Sequence, residues 1–347
     1  MPATPRPTAI DPSSIELHLL DAAYTPGGET VSAAGQILWA GGRDRWLPEI
    51  WRFVPGSPTP ERIYDSNVPE SIISSVVASA SGYAFVEQSE PAFGGGGWRV
   101  WYLPGSGADP IQLDWGVAAE AGFPPTIAMD DERVVWAGFD EPQTGFVTRI
   151  GMAEIADIEH PRTLLERPVD KSLIWYPALE GDELWYGTID PASDPAAQGP
   201  EYTLEKLDLS NPLAAPAPFP GTGHDFNPAV NDEFLVWKAN RRGDAALNWG
   251  TLKILDRRSQ ELRTIPVGDA NRPSMGDRFV TFEEITHSTL PVYDPVSLAL
   301  ANLASDRILG RPSMYGGESI SGRLLAFFMQ PADALAQPRI GWAILPE

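Results

Sequence analysis

Cysteine is absent from this chain of 347 residues. Its absence excludes disulfides, thiolate nucleophiles, zinc–thiolate centres and iron–sulfur clusters. Histidine is nearly as scarce. His18, His160, His224 and His287 are the only four, and none forms a His-x-x-x-His pair, so a histidine metal site is not expected. Lysine is confined to Lys171, Lys206, Lys238 and Lys253. Against 25 basic residues stand 47 acidic ones, a formal net charge of −22. Phosphate backbones and anionic lipid need clustered Lys and Arg, so neither nucleic acid nor an anionic membrane is expected as a partner. No run of 18 or more apolar residues occurs, so no transmembrane segment is expected. Residues 1–12, Met-Pro-Ala-Thr-Pro-Arg-Pro-Thr-Ala-Ile-Asp-Pro, lack the apolar stretch of a secretory signal and read as a flexible Pro/Thr-rich tail. An exported protein would begin in this way, and so would a cytoplasmic protein with a loose tail; the expected location is the bacterial cell envelope or the extracellular space rather than the cytoplasm.

What the chain has is a repeat. Large aromatics recur at Trp39, Phe85, Trp136, Trp185, Trp237, Phe282 and Phe327, spaced 46, 51, 49, 52, 45 and 45 residues apart, each inside a short apolar run. A period of 40 to 50 residues built from strand-like runs is the signature of a β-propeller with one four-stranded blade per repeat. The 35 Pro and 32 Gly suit many short strands joined by turns. Each repeat opens on a segment with small residues or proline, such as Pro177-Ala-Leu-Glu, Pro228-Ala-Val-Asn, Pro273-Ser-Met-Gly or Pro312-Ser-Met-Tyr. A tight turn follows (Gly181-Asp182, Asn231-Asp232, Gly276-Asp277, Gly322-Arg323), then the aromatic strand, a variable loop, an alternating third strand and a more polar fourth. The second and third strands lie between blades and read as near-continuous apolar runs, whereas the outer fourth strand carries charge that guards its edge. One stretch, Trp115 to Gly122, is rich in alanine but short and glycine-interrupted, and reads as a loop with one turn.

The ends fix the blade count. The seventh repeat runs out one strand short, while Ser14-Ile-Glu-Leu-His-Leu-Leu-Asp21 precedes the first repeat without a blade of its own. Read as a circle, Phe327 to Trp39 is 59 residues, or 47 once the 12-residue tail is removed, which matches the period. The expected fold is therefore all-β: a single seven-bladed propeller over residues 13–347 with four-stranded antiparallel blades. Its ring is closed by the N-terminal strand completing the last blade.

The repeat of proline, a Gly/Asp turn and apolar residues ending in Trp or Phe resembles TolB-like propeller repeats. It is also similar to the propellers that precede the hydrolase domains of prolyl-oligopeptidase relatives. Aspartates closing the third strand (Lys206-Leu-Asp208, Ile254-Leu-Asp256, Val292-Tyr-Asp294) fit the same pattern. The resemblance covers roughly residues 14 to 347. It implies a bacterial scaffold that binds proteins or ligands at one face, with no room for the peptidases' hydrolase domain.

Chemistry is sparse. No Gly-x-Ser-x-Gly elbow and no Ser-x-Asp-x-Gly-x-x-Trp box occurs, so no catalytic residues are assigned and no enzyme is expected. Asp190-Pro-Ala-Ser-Asp194 offers oxygen ligands, yet no Asp-x-Asp-x-Asp-Gly loop exists, so no calcium or other cofactor is assigned. The candidates for recognition are residues of the loops that emerge on one face around the central channel. They are Arg43 with Asp44, Arg45 and Trp46 in the first blade, and Trp175 and Tyr176 at entry to the fourth. His224, Asp225, Phe226 and Asn227 enter the fifth, followed by Arg241 and Arg242; Arg272 enters the sixth and Arg311 the seventh. Aromatics and arginines are the residue types favoured in recognition sites. The competing expectation is that the aromatics pack between blades while the arginines pair with nearby acids. The function that follows is a non-enzymatic scaffold binding a protein or small ligand on this rim. Its alternatives are a structural subunit of a larger assembly, such as a membrane complex, surface filament or phage appendage, and a hydrolase or lyase with its site at the channel mouth.

Overall fold

The computed structural model describes residues 10–24, 30–42, 47–68, 70–89, 97–117, 124–140, 146–190, 201–211, 214–219, 224–239, 250–284, 289–303, 314–331, 333 and 336–347. They form seven four-stranded antiparallel sheets. Blade 1 spans 30–65, blade 2 71–117, blade 3 126–168, blade 4 173–218, blade 5 225–264 and blade 6 270–302. Blade 7 joins 314–344 to His18–Leu19 from the other end of the chain. The innermost strand of each blade touches that of the next, and blade 7 touches blade 1, so the ring is closed. No helix among the described residues is long and apolar enough to cross a membrane.

The clasp is short but well anchored. His18 pairs with Trp342 and Leu19 with Gly341, and the Leu20 N–H donates to the Ile340 carbonyl at 2.9 Å. The His18 ring stacks on Trp342 at 4.0 Å between centroids, and the Arg339 guanidinium donates to the Leu20 carbonyl at 2.6 and 3.0 Å. Ile10, which the sequence assigns to the tail, is buried with Ile15 in the cluster that includes Phe279, Leu290 and Phe327. Asp11 caps the turn at Pro12–Ser14 through the Ser13 N–H. Packed structure thus begins no later than residue 10.

The recurring aromatics occupy the second strand of every blade, and each is at least 93% buried, Trp185 being the most exposed at 7%. Burial of each side chain stabilises by about 2–3 kcal/mol. Five of the rings meet the third strand, which accommodates them in different ways. Trp39 stacks on its partner Trp51 and Phe85 on Trp101, and the Lys206 ammonium sits 5.6 Å from the Trp185 ring. Opposite Trp136 and Phe327 the partners are Gly151 and Gly341. A Cβ at Gly341 would fall 2.2 Å from the Phe327 ring, so the aromatic there demands glycine.

The tight turns between first and second strands stitch neighbouring blades together. The Arg133 guanidinium reaches the Gly181 carbonyl and Asp182, both at 2.8 Å; the Asn231 amide donates to the Gly276 carbonyl at 2.9 Å; and the Asp277 N–H donates to the Gly322 carbonyl at 3.1 Å. The aspartates that close the third strands fold the next turn: Asp208 accepts from the Ser210 N–H, Asp256 from Arg258 and Ser259, and Asp294 from Val296. Two expectations change. Trp115, Gly116 and Val117 belong to the outermost strand of blade 2 rather than to a loop, residues 118–122 lying outside the described set. The outermost strand of blade 6, Ala299–Asn302, carries no charge, and Leu300 on it is exposed.

Gly341→Ala is expected to destabilise the protein by about 1–3 kcal/mol in denaturant unfolding, the usual range for overpacking. Phe327→Leu in the same chain should recover part of that loss, because it removes the ring the new methyl meets. Simple additivity of the two losses would contradict the packing account.

Candidate functional site at the channel mouth

The first strands of blades 4 to 7 share one irregularity. Their pairing with the second strand skips between Trp175 and Ala178, Phe226 and Ala229, Asn271 and Ser274, and Gly316 and Ser319. Within each skip one residue has left-handed backbone geometry: Tyr176 (φ 52°), Asn227 (φ 56°), Arg272 (φ 47°) and Gly317 (φ 58°). In blades 4 to 6 the next residue is Pro177, Pro228 or Pro273. Proline has no N–H to give the ladder, so the strand bulges around it, and the residue before it is driven out of the right-handed helical region. Glycine takes the left-handed conformation freely, as at Gly317; a residue with a side chain there costs about 1 kcal/mol or more. Blades 4 to 6 bear that cost and gain a tyrosine, an asparagine and an arginine at the head of the channel.

These side chains border a cavity of about 360 Å³. Ser74 and Ser75 line it from blade 2, Pro124, Pro125 and Thr126 from blade 3, Trp175 and Tyr176 from blade 4, Asn227 from blade 5, and Arg272 and Pro273 from blade 6. The Tyr176 N–H donates to Thr126 Oγ1 at 2.9 Å, which fixes the bulge to the neighbouring blade. Behind the wall, Phe226 is fully buried and meets Tyr176 edge-on at 5.4 Å and Trp175 at 6.2 Å, while Phe139 meets Trp175 at 5.2 Å. The aromatic wall is thereby held rigid from behind.

The charges sit to one side. Arg272 Nη1 lies 3.6 Å from Glu283 Oε1, and that oxygen also accepts the Gly317 N–H at 3.1 Å. Glu318 follows directly, is 5% exposed, and has its Oε2 buried without a hydrogen-bond partner. Burial pushes its carboxyl up to about 8; the Glu283 charge adds to the shift, while its own backbone N–H and Arg272 oppose it. Lys238, almost fully buried with its ammonium 5.9 Å from the Phe226 ring, is pushed down to about 8 by burial and then by repulsion from Arg272.

Of the rim candidates, Trp175, Tyr176, Asn227 and Arg272 therefore converge on one cavity. Asp225 is buried and accepts the Trp237 indole N–H at 2.8 Å, which ties the first strand of blade 5 to the second. His224 has left-handed geometry (φ 59°), packs edge-on against Tyr202 at 6.2 Å, and has its Nδ1 buried without a hydrogen-bond partner. Neither lines the cavity. Arg43, Asp44, Arg45, Trp46, Arg241, Arg242 and Arg311 lie outside the described residues, as does Asp194, while Asp190 ends the second strand of blade 4. The residues the sequence did not single out are Ser74, Ser75, Pro124, Pro125 and Thr126. The prolines carried the same signal as Pro177, Pro228 and Pro273, a proline at the start of a first strand. The serines carried none.

Glu318 gives a pH test. A carboxyl whose folded pKa is raised from 4.5 to about 8 binds its proton more tightly in the folded state. Its contribution therefore erodes stability as pH rises from 4.5 to 8 and is neutral below that window. Glu318→Gln, which mimics the protonated carboxyl, should stabilise the protein by about 1–3 kcal/mol at pH 8, with the gain shrinking toward pH 5. A gain independent of pH, or a loss at pH 8, would contradict the assignment.

No protein-family model matches the chain, and no curated protein matches it in sequence. Solved structures do. The β-propeller domain of the Trilobed protease from Pyrococcus furiosus, described as having an open velcro topology, superposes with a TM-score of 0.62 at 11% identity over 95% of this chain and 96% of that one. A prolyl endopeptidase gives a TM-score of 0.61 at 12% identity over 87% of this chain and 44% of its own. The acylaminoacyl peptidase of Pyrococcus horikoshii gives 0.59 at 10% identity, over 92% and 52%. The chain thus spans about half the length of those two peptidases. At such identities the likeness is one of fold: a seven-bladed β-propeller similar to the propeller domains of prolyl endopeptidases and acylaminoacyl peptidases.

Proposed function

We propose that the protein is a binding scaffold whose recognition site is the cavity at the channel mouth. The observation that carries this reading is the trio Tyr176, Asn227 and Arg272, each held in left-handed geometry at equivalent places in three successive blades and each bordering the same cavity. Unfavourable backbone geometry persists where the surroundings enforce it, and it clusters at functional sites. The volume of about 360 Å³ lies within the range of small-molecule sites and also suits a side chain inserted by a protein partner. Binding is favoured over hydrolase or lyase chemistry because the described lining residues offer hydrogen-bond donors and aromatic surface rather than a carboxylate or imidazole to act as acid or base.

A second reading, a subunit of a larger assembly, draws on Leu262, Val296, Leu298 and Leu300, all exposed on or near the outer edges of blades 5 and 6. It requires a solution mass above that of one chain.

A crystallographic fragment screen tests the proposed site. Bound fragments are expected to cluster in the channel mouth, touching at least two of Trp175, Tyr176, Asn227 and Arg272. Tyr176→Ala should remove them while leaving the fold intact. Fragments gathering instead in the outer groove between blades 4 and 5, beside Trp185 and Phe219, would overturn the reading.

A further inference from the structure

Among the described residues, one strand in each of the seven blades forms its outer edge. An unprotected edge is a template for pairing with another chain. The outer strands of blades 1, 2, 3 and 5 carry charge: Glu61, Arg62 and Asp65; Asp114; Arg162, Glu166 and Arg167; and Arg263. Those of blades 4 and 7 are two residues long, and that of blade 4 ends in Pro218. Blade 6 has none of these protections. Its outer strand, Ala299–Asn302, is four residues of Ala, Leu, Ala and Asn.

The edge is open as well as neutral. The Leu303 N–H donates to the Leu290 carbonyl at 2.9 Å, and bonded pairs alternate along an antiparallel ladder. Ala299 and Ala301 therefore turn their backbone groups inward, to Asp294 and Val292, while Leu300 turns its N–H and C=O out of the blade. Val296, Leu298 and Leu300 are between 41% and 51% exposed, so apolar surface accompanies the open edge. Leu298 holds left-handed geometry (φ 61°), which a glycine or asparagine adopts more readily. The Arg263 guanidinium reaches the Pro295 carbonyl at 3.3 Å and joins this turn to the outer strand of blade 5, where Leu262 is also exposed. Arg263 is itself paired with Glu261 at 2.8 Å, so this flank adds no net charge.

We infer that the outer strand of blade 6 pairs antiparallel with the same strand of a second copy of this chain, about a two-fold axis. The pairing is self-complementary. Leu300 lies opposite Leu300 of the second copy, Ala299 opposite its Ala301 and Leu298 opposite its Asn302, with no charge facing another. A second copy is the occupant because the strand carries no charge to select a partner of opposite sign. Two chains of net charge −22 repel one another, and a neutral edge beside a balanced ion pair is where they approach at least cost. The inference rests on the reading as a subunit of a larger assembly and is independent of the channel mouth, which lies at the other end of the blade.

Sedimentation equilibrium of the full chain tests it. A monomer–dimer equilibrium is expected, with Kd on the order of 10–100 μM for an edge interface below about 1,200 Å². Added salt should tighten the dimer, because screening weakens the repulsion between two acidic chains. Hydrogen exchange at the Leu300 amide should slow as concentration rises through that range, a measurement on the unaltered protein that stands even if the variants do not fold. Leu300→Lys and Leu300→Glu should each weaken the dimer about tenfold or more, and an equimolar mixture should restore it, since opposite charges then meet across the axis. A dimer that both variants leave intact, or that forms with no change in exchange at Leu300, would overturn the edge assignment and leave the assembly reading standing. The mass of a single chain up to about 1 mM would overturn both.

Discussion

A propeller blade can face a central channel only if its innermost strand finds partners for a whole edge of backbone. That strand has one ladder neighbour, and its other edge would otherwise leave N–H groups unpaired, each costing about 1–3 kcal/mol if buried. Here the preceding blade supplies the partners through side chains. Thr148 Oγ1 accepts the Ile174 N–H, Thr126 Oγ1 the Tyr176 N–H, Ser274 Oγ the Ile320 N–H, Ser319 Oγ the Ser32 N–H, and Glu283 the Gly317 N–H. The ring is held together by this hand-over between blades as well as by the apolar clusters on either side of each sheet. The clasp at His18 and Leu19 extends the same economy of edges to the outer strand of blade 7.

The candidate site arises where that arrangement is interrupted. Pro177, Pro228 and Pro273 remove donors that the first strand would have had to place, and the bulges they force turn Tyr176, Asn227 and Arg272 toward the axis. Blade 7 shows the alternative. Gly317 takes the same backbone geometry with no side chain to present, and Glu318 beside it is buried with an unpartnered oxygen. One half of the mouth is thus furnished with donors and aromatic surface, while the acids are kept behind it.

The fold was legible because the second strands carry a signal of fixed period. Trp39 to Phe327 mark seven blades, and the surplus strand before Trp39 told how the ring closes. The turn residues were legible as turns but not as joints: nothing in Gly181-Asp182 or Asn231 announces the neighbour it binds, since the partner lies a full repeat away. The site was half legible. Position at the blade entries pointed to Trp175, Tyr176, Asn227 and Arg272, yet the same rule also selected Asp225, whose side chain accepts the Trp237 indole N–H. Ser74 and Ser75 stood in an ordinary strand run, and only the skip in pairing after Ile73 turns them toward the cavity. The burial of Glu318 was invisible, because a glutamate in a glycine-rich segment reads as surface.

The central claim is that the side chains at the bulges serve the mouth and not the fold. The most direct measurement is the denaturant midpoint of the triple variant Tyr176→Gly, Asn227→Gly, Arg272→Gly. Glycine relieves about 1 kcal/mol of left-handed strain at each position and gives back a similar amount through the entropy of the unfolded chain. The account predicts a midpoint within about 1 kcal/mol of the parent. A loss of several kcal/mol would show that these residues hold the ring together, and would contradict it.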